Sequence, residues 1–365
     1  RQTNYYRVND AINSLSAGVL SRMLDIVKTL VPLTIYVFIY ENFALFTLSD
    51  TLLVWVSVFV LYDFCYYWNH RLGHEVSLLW AAHVVHHSSE EYNLTTALRQ
   101  SSSSFFSWIF YLPLAILGVD PILLISVGSL NLVYQFWVHT RHVPKLGWFE
   151  WVFVSPSNHR VHHAQNKVYI DRNYGGVFIL WDRLFGTFQE ELDTDPVIFG
   201  IRSSLKSWNP LYANVQVYSQ LWQDSRHTKG MWNKADLNQF EKFDITLPTL
   251  SKAYCLVQHG VTTYIALLLL LNIHLLAGYQ QLGLVIWVMF ASYSVGCMLE
   301  RKDFAPRLEW LKHLSLICGV MLFGLPLWIM SSVIILVLFS VVLLVWLQSS
   351  KHNADNSLPS QAQGL

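Results

Sequence analysis

Residues 52–74 read LLVWVSVFVLYDFCYYWNHRLGH, a long apolar run that carries one carboxylate, Asp63, and ends in two histidines four apart, His70 and His74. Residues four apart share one face of a helix, so both imidazoles can grip a single ion at its end. Asp63, Tyr67, His70 and His74 follow at steps of four, three and four, along one stripe. A carboxylate inside an apolar span is costly and is usually functional or paired. Asp63 is therefore a candidate site residue, able to accept the free N–H of a ligand imidazole. Glu75, beside His74, is a second candidate, whereas Glu90 and Glu91 read as solvated.

Outward from this stretch, Lys and Arg are missing from residues 29–70, 100–140, 253–300 and 313–350. Each window is roughly twice the ~20 residues a helix needs to cross the hydrocarbon core. Each also has a polar or breaking point near its middle: Ser49-Asp50, Gly118 to Pro121, Gly278 to Gln281, and Ser331-Ser332. The pattern predicts an all-α, multi-pass helical membrane protein with about eight spans, arranged as four hairpins, and a cytoplasmic histidine-rich helical cap. All 24 Lys and Arg then lie on one side, which the positive-inside rule makes cytoplasmic. The membrane is a bacterial inner membrane or the endoplasmic reticulum. Charged residues are 13% of the chain against about 25% in soluble domains, which agrees.

A formal net charge of zero gives no sign of a nucleic-acid partner. The four cysteines have no paired spacing, which argues against a disulfide framework or a thiolate zinc site. The chain opens at Arg1 rather than Met, as a piece of a longer protein would, and Arg22 and Lys28 interrupt any signal-peptide-like run. The expected organisation is an N-terminal cytoplasmic segment (1–28), a catalytic unit (29–190) and a cytoplasmic connector (191–252). A C-terminal membrane half (253–350) and a disordered tail (351–365) follow. Within the connector, Leu211, Val215, Tyr218, Leu221 and Trp222 recur at helical intervals over 210–227, as in a helix lying on the membrane surface or packed against the fold.

Nine of the fifteen histidines form a pattern. His70 and His74 are followed by His83, His86 and His87 as H-x-x-H-H, by a lone His139, and by His159, His162 and His163 as a second H-x-x-H-H. Adjacent residues splay by about 100° on a helix, so His86-His87 and His162-His163 can each serve two neighbouring ions. Nine imidazoles exceed what one ion accepts, which implies two metals. Imidazole suits iron, zinc and copper, and spacing does not choose among them. The other histidines, including His227, His259, His274, His313 and His352, read as structural.

The ordered histidine motifs resemble the fatty acid hydroxylase/sterol desaturase superfamily. Asp63-Phe64 to Tyr66–Arg71, Asn173-Tyr174-Gly175-Gly176 and Trp181–Thr187 fit its opening and closing blocks, and the likeness covers about 60–190. Gly73–Val76, His86–Leu94 to Ala97–Gln100, and Tyr134–Trp137 are similar to its alkylglycerol monooxygenase branch. The resemblance implies two iron ions held by the nine histidines, with O2 and a membrane lipid as substrates. It further implies tetrahydrobiopterin as reductant and oxidation of the ether carbon of an alkylglycerol to a fatty aldehyde and glycerol, with Glu75 as a site residue. Some relatives carry His where this chain has Asn158, so Asn158 stands at the site either in place of an imidazole or acting through a water.

The alternative within the superfamily is a sterol, fatty acyl or carotenoid hydroxylase fed by a redox donor protein. A zinc hydrolase would need a general-base carboxylate inside the first motif, where Arg71-Leu72-Gly73 stands instead. A transporter would place its polar residues near the bilayer midplane rather than at span ends. The topology is testable by cysteine labelling: Gln280 is expected to react from outside the cell and Lys234 only from inside. Labelling of both positions from one side would refute the hairpin scheme.

Overall fold

The computed structural model describes residues 4–224, 240–324 and 326–356, and the chain divides into two compact units. The first is Arg1–Lys206 with Tyr212–Phe243; the second is Ser207–Leu211 with Asp244–Leu365. Every regular element among the described residues is helical, and the only extended pairings are two isolated bridges, Phe153 with Phe178 and Ala164 with Phe199.

In the first unit, α1 (Val8–Lys28) and α2 (Leu30–Phe43) meet at a bend of 54°. Helix α3 (Leu52–Glu75) begins where the Thr51 hydroxyl accepts the Val54 amide at 3.3 Å, and its 24 residues carry it across about 36 Å. Val76 then turns extended and α4 (Ser77–His87) starts at once, so the tail of α3 and the whole of α4 face each other. A short α5 (Leu94–Ala97) and α6 (Leu112–Ile116) precede α7 (Pro121–Trp137), which packs on α3. Pro121 sits at the first helical position of α7, and the Asp120 carboxylate caps Ile122 and Leu123 at 2.8 and 3.3 Å. Three more helices complete the unit: α8 (Pro156–His162), α9 (Leu180–Phe185) and α10 (Pro210–Asp224).

The second unit is a bundle of α11 (Thr249–Leu271), α12 (Gly278–Leu299), α13 (Ala305–Phe323) and α14 (Leu327–Asn356), with α14 returning against α11. Its interior is tied by Glu309, which accepts from Tyr254 Oη and Ser294 Oγ at 2.6 Å each and pairs with Lys312. Lys312 Nζ also reaches Gln258 Oε1 at 2.9 Å. A buried ion pair satisfied from three helices fixes their register, because slippage would strand a charge.

Four helices are long and apolar enough to cross a membrane: Leu52–Glu75, Thr249–Leu271, Gly278–Leu299 and Leu327–Ser350, or five with the bent α1–α2 pair. Among the described residues, length and apolarity thus account for four or five of the eight spans expected from the sequence. The first arm of the second hairpin is not one helix. Ser101 Oγ accepts the Ser103 amide at 3.1 Å, the Ser102 amide donates to Asn214 Oδ1 at 2.8 Å, and Pro113 follows within a short helix. Its second arm, α7, has only 17 residues. The last hairpin turns elsewhere than expected. Gly324, at φ +57°, and Pro326 end α13, whereas Ser331 and Ser332 lie inside α14, their hydroxyls bonded to Trp328 and Ile329 carbonyls. Helix α14 also runs to Asn356, into the region read as a disordered tail, whose residues from 357 on are outside those described. Residues 225–239 of the 191–252 connector, with His227 and Lys234 among them, also lie outside those described.

The turn before α7 depends on Gly118. Its φ is +88°, and a Cβ there would sit 1.9 Å from the Phe46 carbonyl oxygen. Gly118→Ala is expected to cost about 1–3 kcal/mol and lower the melting temperature in detergent by several degrees. An unchanged melt would contradict this packing of the 44–51 loop on the turn.

Candidate metal centre

All nine histidines of the sequence pattern converge in the first unit, and they sort into two groups. His70, His74, His83, His87 and His162 form one; His86, His139, His159 and His163 form the other, with the ligand atoms of each group within 4.8 Å of one another. The split follows helix geometry. His70 and His74 leave the end of α3, and the reversal at Val76 sets α4 opposite them, bringing the His74 and His83 rings to 4.9 Å. On α4, His83 and His87 share a face while His86 points to the other group. The end of α8 repeats the division, His162 to one group and His163 to the other. His139 enters just beyond α7. His142, exposed and tilted against Tyr5 at 5.1 Å, stays outside, as do His259, His274 and His313 of the second unit.

Ring orientation is set by backbone carbonyls. The Nδ1–H groups of His70, His86, His139 and His162 donate to the carbonyls of Tyr174, Arg99, Gln135 and Arg172 at 2.8, 3.0, 2.8 and 3.0 Å. A carbonyl can only accept, so in the neutral ring the proton is on Nδ1 and Nε2 carries a lone pair. The Nε2 atoms of His86 and His139 nevertheless lie 3.2 Å apart, lone pair against lone pair. His70 and His87 each bring Nε2 to 3.0 Å from His83 Nε2. Nε2 of His74, His162 and His163 and Nδ1 of His159 are buried with no hydrogen-bond partner among the described residues. Such crowding of buried lone pairs fits cations between them, and the donor set fits iron.

Burial also keeps the rings neutral. Desolvation, reinforced by neighbouring imidazoles, holds His83, His87, His139, His159, His162 and His163 well below the ordinary histidine range, and burial lowers His86 to about 4. Metal ligands must be deprotonated, so the environment prepares them.

The carboxylates and the amide singled out from the sequence take other places. Asp63, fully buried, meets no imidazole. It accepts from Asn131 Nδ2 at 2.7 Å, the amides of Val177 and Phe178 at 2.8 and 3.0 Å, and Trp181 Nε1 at 3.0 Å. The loop it grips is the one whose Tyr174 carbonyl orients His70, so its effect on that ring passes through backbone. Glu75 is half-exposed and pairs with Arg71 at 2.9 Å, not with a histidine. Asn158 completes a capping box whose N-cap is Ser155: its Oδ1 accepts the Ser155 amide at 3.0 Å, and the Ser155 hydroxyl accepts the Asn158 amide at 3.2 Å. Glu90 and Glu91 are buried rather than solvated. Arg7 and Lys242 pair with Glu91, and Ser204 Oγ and the Phe243 amide donate to Glu90.

Several supporting residues lie in the motif blocks quoted from the sequence but are not singled out there as site residues. Asp182 accepts the Tyr174 and Gly175 amides at 2.7 and 2.8 Å and so clamps the same loop from its other side. Asn173, at φ +57°, is held there by bonds from its amide to the carbonyls of Asn158 and Gln189. The buried Arg99 side chain braces the end of α4 through the Val85 carbonyl at 2.6 Å, while its own carbonyl orients His86. A cavity opens beside His74, His87, His162 and His163, walled by Trp80, Val84, Ile201 and Val217. Helix α10 supplies Val217. Of its predicted stripe, Tyr218 and Leu221 pack inward while Val215 and Trp222 remain exposed.

Comparison with known proteins agrees with this geometry. The model of the fatty acid hydroxylase family matches residues 55–187, a range that contains all nine histidines. The alkylglycerol monooxygenase of Homo sapiens is 44% identical over 230 residues, covering 62% of this chain and 51% of that protein. That of Danio rerio is 36% identical over 334 residues, covering 84% of this chain and 74% of that protein. The ornithine lipid hydroxylase OlsE of Rhizobium tropici is 29% identical over 131 residues, 35% of this chain and 40% of that protein. The chain thus spans about half the length of the human relative. No solved structure matches it.

Elemental analysis of the purified protein tests the centre. About two metal ions per chain are expected, falling to one or none in His83→Ala and in His159→Ala while membrane insertion persists. Unchanged metal content in both variants would exclude the grouping.

Proposed function

The chain belongs to the fatty acid hydroxylase family, and on that premise we propose that it is an O2-dependent lipid monooxygenase acting on the ether carbon of an alkylglycerol. The observation that carries this reading is the pair of buried all-imidazole groups, set in a chain 36–44% identical to alkylglycerol monooxygenases. An alkyl C–H bond offers no acid, base or leaving group. Two bound iron ions would supply the activation of O2 that such a bond requires. His70, His74, His83, His87 and His162 would hold one ion, and His86, His139, His159 and His163 the other.

The chain's own groups do the rest. Carbonyls of Tyr174, Arg99, Gln135 and Arg172 keep Nε2 free and aimed inward. Asp63 and Asp182 act as positioning residues through the 172–181 loop, and Asn158 through the cap of α8. Glu75 holds Arg71 at the rim. Residues 29–190 form the catalytic unit, with its metal centre at the cytoplasmic face. Lipid would arrive there from the bilayer and tetrahydrobiopterin from the aqueous side, giving the two electrons that, with two protons, turn the second oxygen atom of O2 into water. An ether lipid lies with its first chain carbons at headgroup depth, so its ether carbon reaches an interfacial centre without the chain folding back. Hydroxylation there gives a hemiacetal. Its C–O bond to glycerol breaks, the hydroxyl proton passes to glycerol, and a fatty aldehyde remains.

The test supplies membranes containing the protein with an alkylglycerol, O2 and a reduced pterin, and measures aldehyde. Aldehyde release above that of membranes carrying His83→Ala is expected. No aldehyde, together with hydroxylation of a sterol or fatty acyl lipid by the same iron-loaded protein, would favour the second reading with a redox protein as donor. Aldehyde formed only with a protein donor would remove the pterin alone.

A further inference from the structure

Part of the histidine-rich cap runs beside the middle of α3 rather than beyond its end. The Phe178 ring meets Phe59 at 6.2 Å, Trp181 meets Phe64 at 5.0 Å, and Phe185 meets Trp68 at 5.1 Å. Residues 178–185 thus follow α3 step by step towards its histidines. Phe59 and His70 are separated by about 16 Å along that helix. Because α3 is long and apolar enough to cross a membrane, what flanks its middle lies at the depth of hydrocarbon.

Backbone at that depth must find its partners inside the protein. Here it does. The Val154 amide donates to the Val177 carbonyl at 2.8 Å and the Ile179 amide to the Val152 carbonyl at 3.0 Å, around the Phe153–Phe178 bridge. Asp63 accepts the Val177 and Phe178 amides and the Trp181 indole. A carboxylate in the middle of a span thereby takes the place of water for these groups.

The outer surface of the same stretches is apolar. Trp148 and Trp151, on a 3-10 helix at Gly147–Trp151, are 78% and 67% exposed, and Leu184 of α9 is 69% exposed. Leu180 and Phe185 continue the patch to the flank of α3. The charged residues of these two helices are withdrawn from it. Glu150 and Asp182 are buried, and the Arg183 guanidinium lies over the Phe188 and Trp151 rings at 3.8 and 5.1 Å. Such a patch, continuous with a spanning helix and free of exposed charge, fits hydrocarbon, and tryptophan suits its polar boundary.

We propose that this surface of the cap is sunk in the lipid bilayer, with Leu180 and Leu184 among acyl chains and Trp148 and Trp151 at the headgroup boundary. It would hold the 172–181 loop, whose carbonyls orient His70 and His162, at the membrane. The inference rests on α3 crossing the bilayer and not on the reaction proposed above.

The test labels Trp151→Cys, Leu184→Cys, Val56→Cys and Glu190→Cys of the full chain in detergent with a maleimide fluorophore and returns each to nanodiscs. Emission of the equally treated wild-type chain, with its four native cysteines, is subtracted. Val56, exposed on α3, reports the span, and Glu190, exposed and paired with Lys145, reports water. Insertion by about 5–10 Å brings a label within reach of nitroxide near the top of the acyl chains, so this lipid is expected to lower emission at Leu184 and Val56 about twofold. Iodide in the water should leave both unchanged. At Trp151 the lipid nitroxide should quench more than iodide, and at Glu190 the order should reverse. Metal content of each variant reports its folding, and Trp151 and Leu184 are independent readings of one surface. Stronger quenching by iodide at either position would show water there and overturn the proposal. Quenching by neither agent at Leu184 would show protein cover and overturn it as well. Lipid quenching retained at Val56 would confine that failure to the cap, whereas its loss there would also remove α3 as a span.

Discussion

Two imidazole nitrogens whose rings have already committed their protons elsewhere repel each other at 3.2 Å unless a cation lies between them, and His86 and His139 are held at that distance. The remaining architecture of the first unit serves this constraint. Helix ends, rather than helix middles, deliver the rings, because an end lets neighbouring residues fan towards two points. Carbonyls released at those ends then accept the second ring nitrogen. Burial removes protons as competitors for the lone pairs.

The 172–181 loop is the least regular part of the site and the most firmly held. Asp63 grips it from α3 and Asp182 from α9, and Asn173 is kept left-handed by carbonyls before and after it. Irregular backbone at this point has a purpose. A helix would turn its carbonyls along its own axis, whereas here those of Arg172 and Tyr174 point at His162 and His70.

The gathering of the nine histidines was legible because spacing on a helix is geometry. The division of His86 from His87, and of His162 from His163, follows from the same rotation per residue. Other readings failed where a local signal has two meanings. Asp63 in an apolar run announced a partner, but not that the partners would be backbone amides 114 and 115 residues away. Glu90-Glu91 looked like a solvated pair, since nothing local marks Arg7 and Lys242 as their counter-ions. Ser331-Ser332 looked like a turn, yet serine hydroxyls can bond back into a helix, and the positive-φ Gly324 with Pro326 was the stronger stop. Net counts of Lys and Arg marked apolar windows well but could not tell a spanning helix from the broken 101–116 stretch, where serine and proline chemistry decides.

The division of adjacent histidines between two groups couples those groups mechanically. Helix α4 carries His83 and His87 for one and His86 for the other, and the end of α8 does the same with His162 and His163. Seating an ion in either group would fix the roll of both helices and so preset the rings of its neighbour. Metallation should then be cooperative, with the half-loaded protein scarcely populated and the separation of the ions set by helical pitch rather than by loop flexibility.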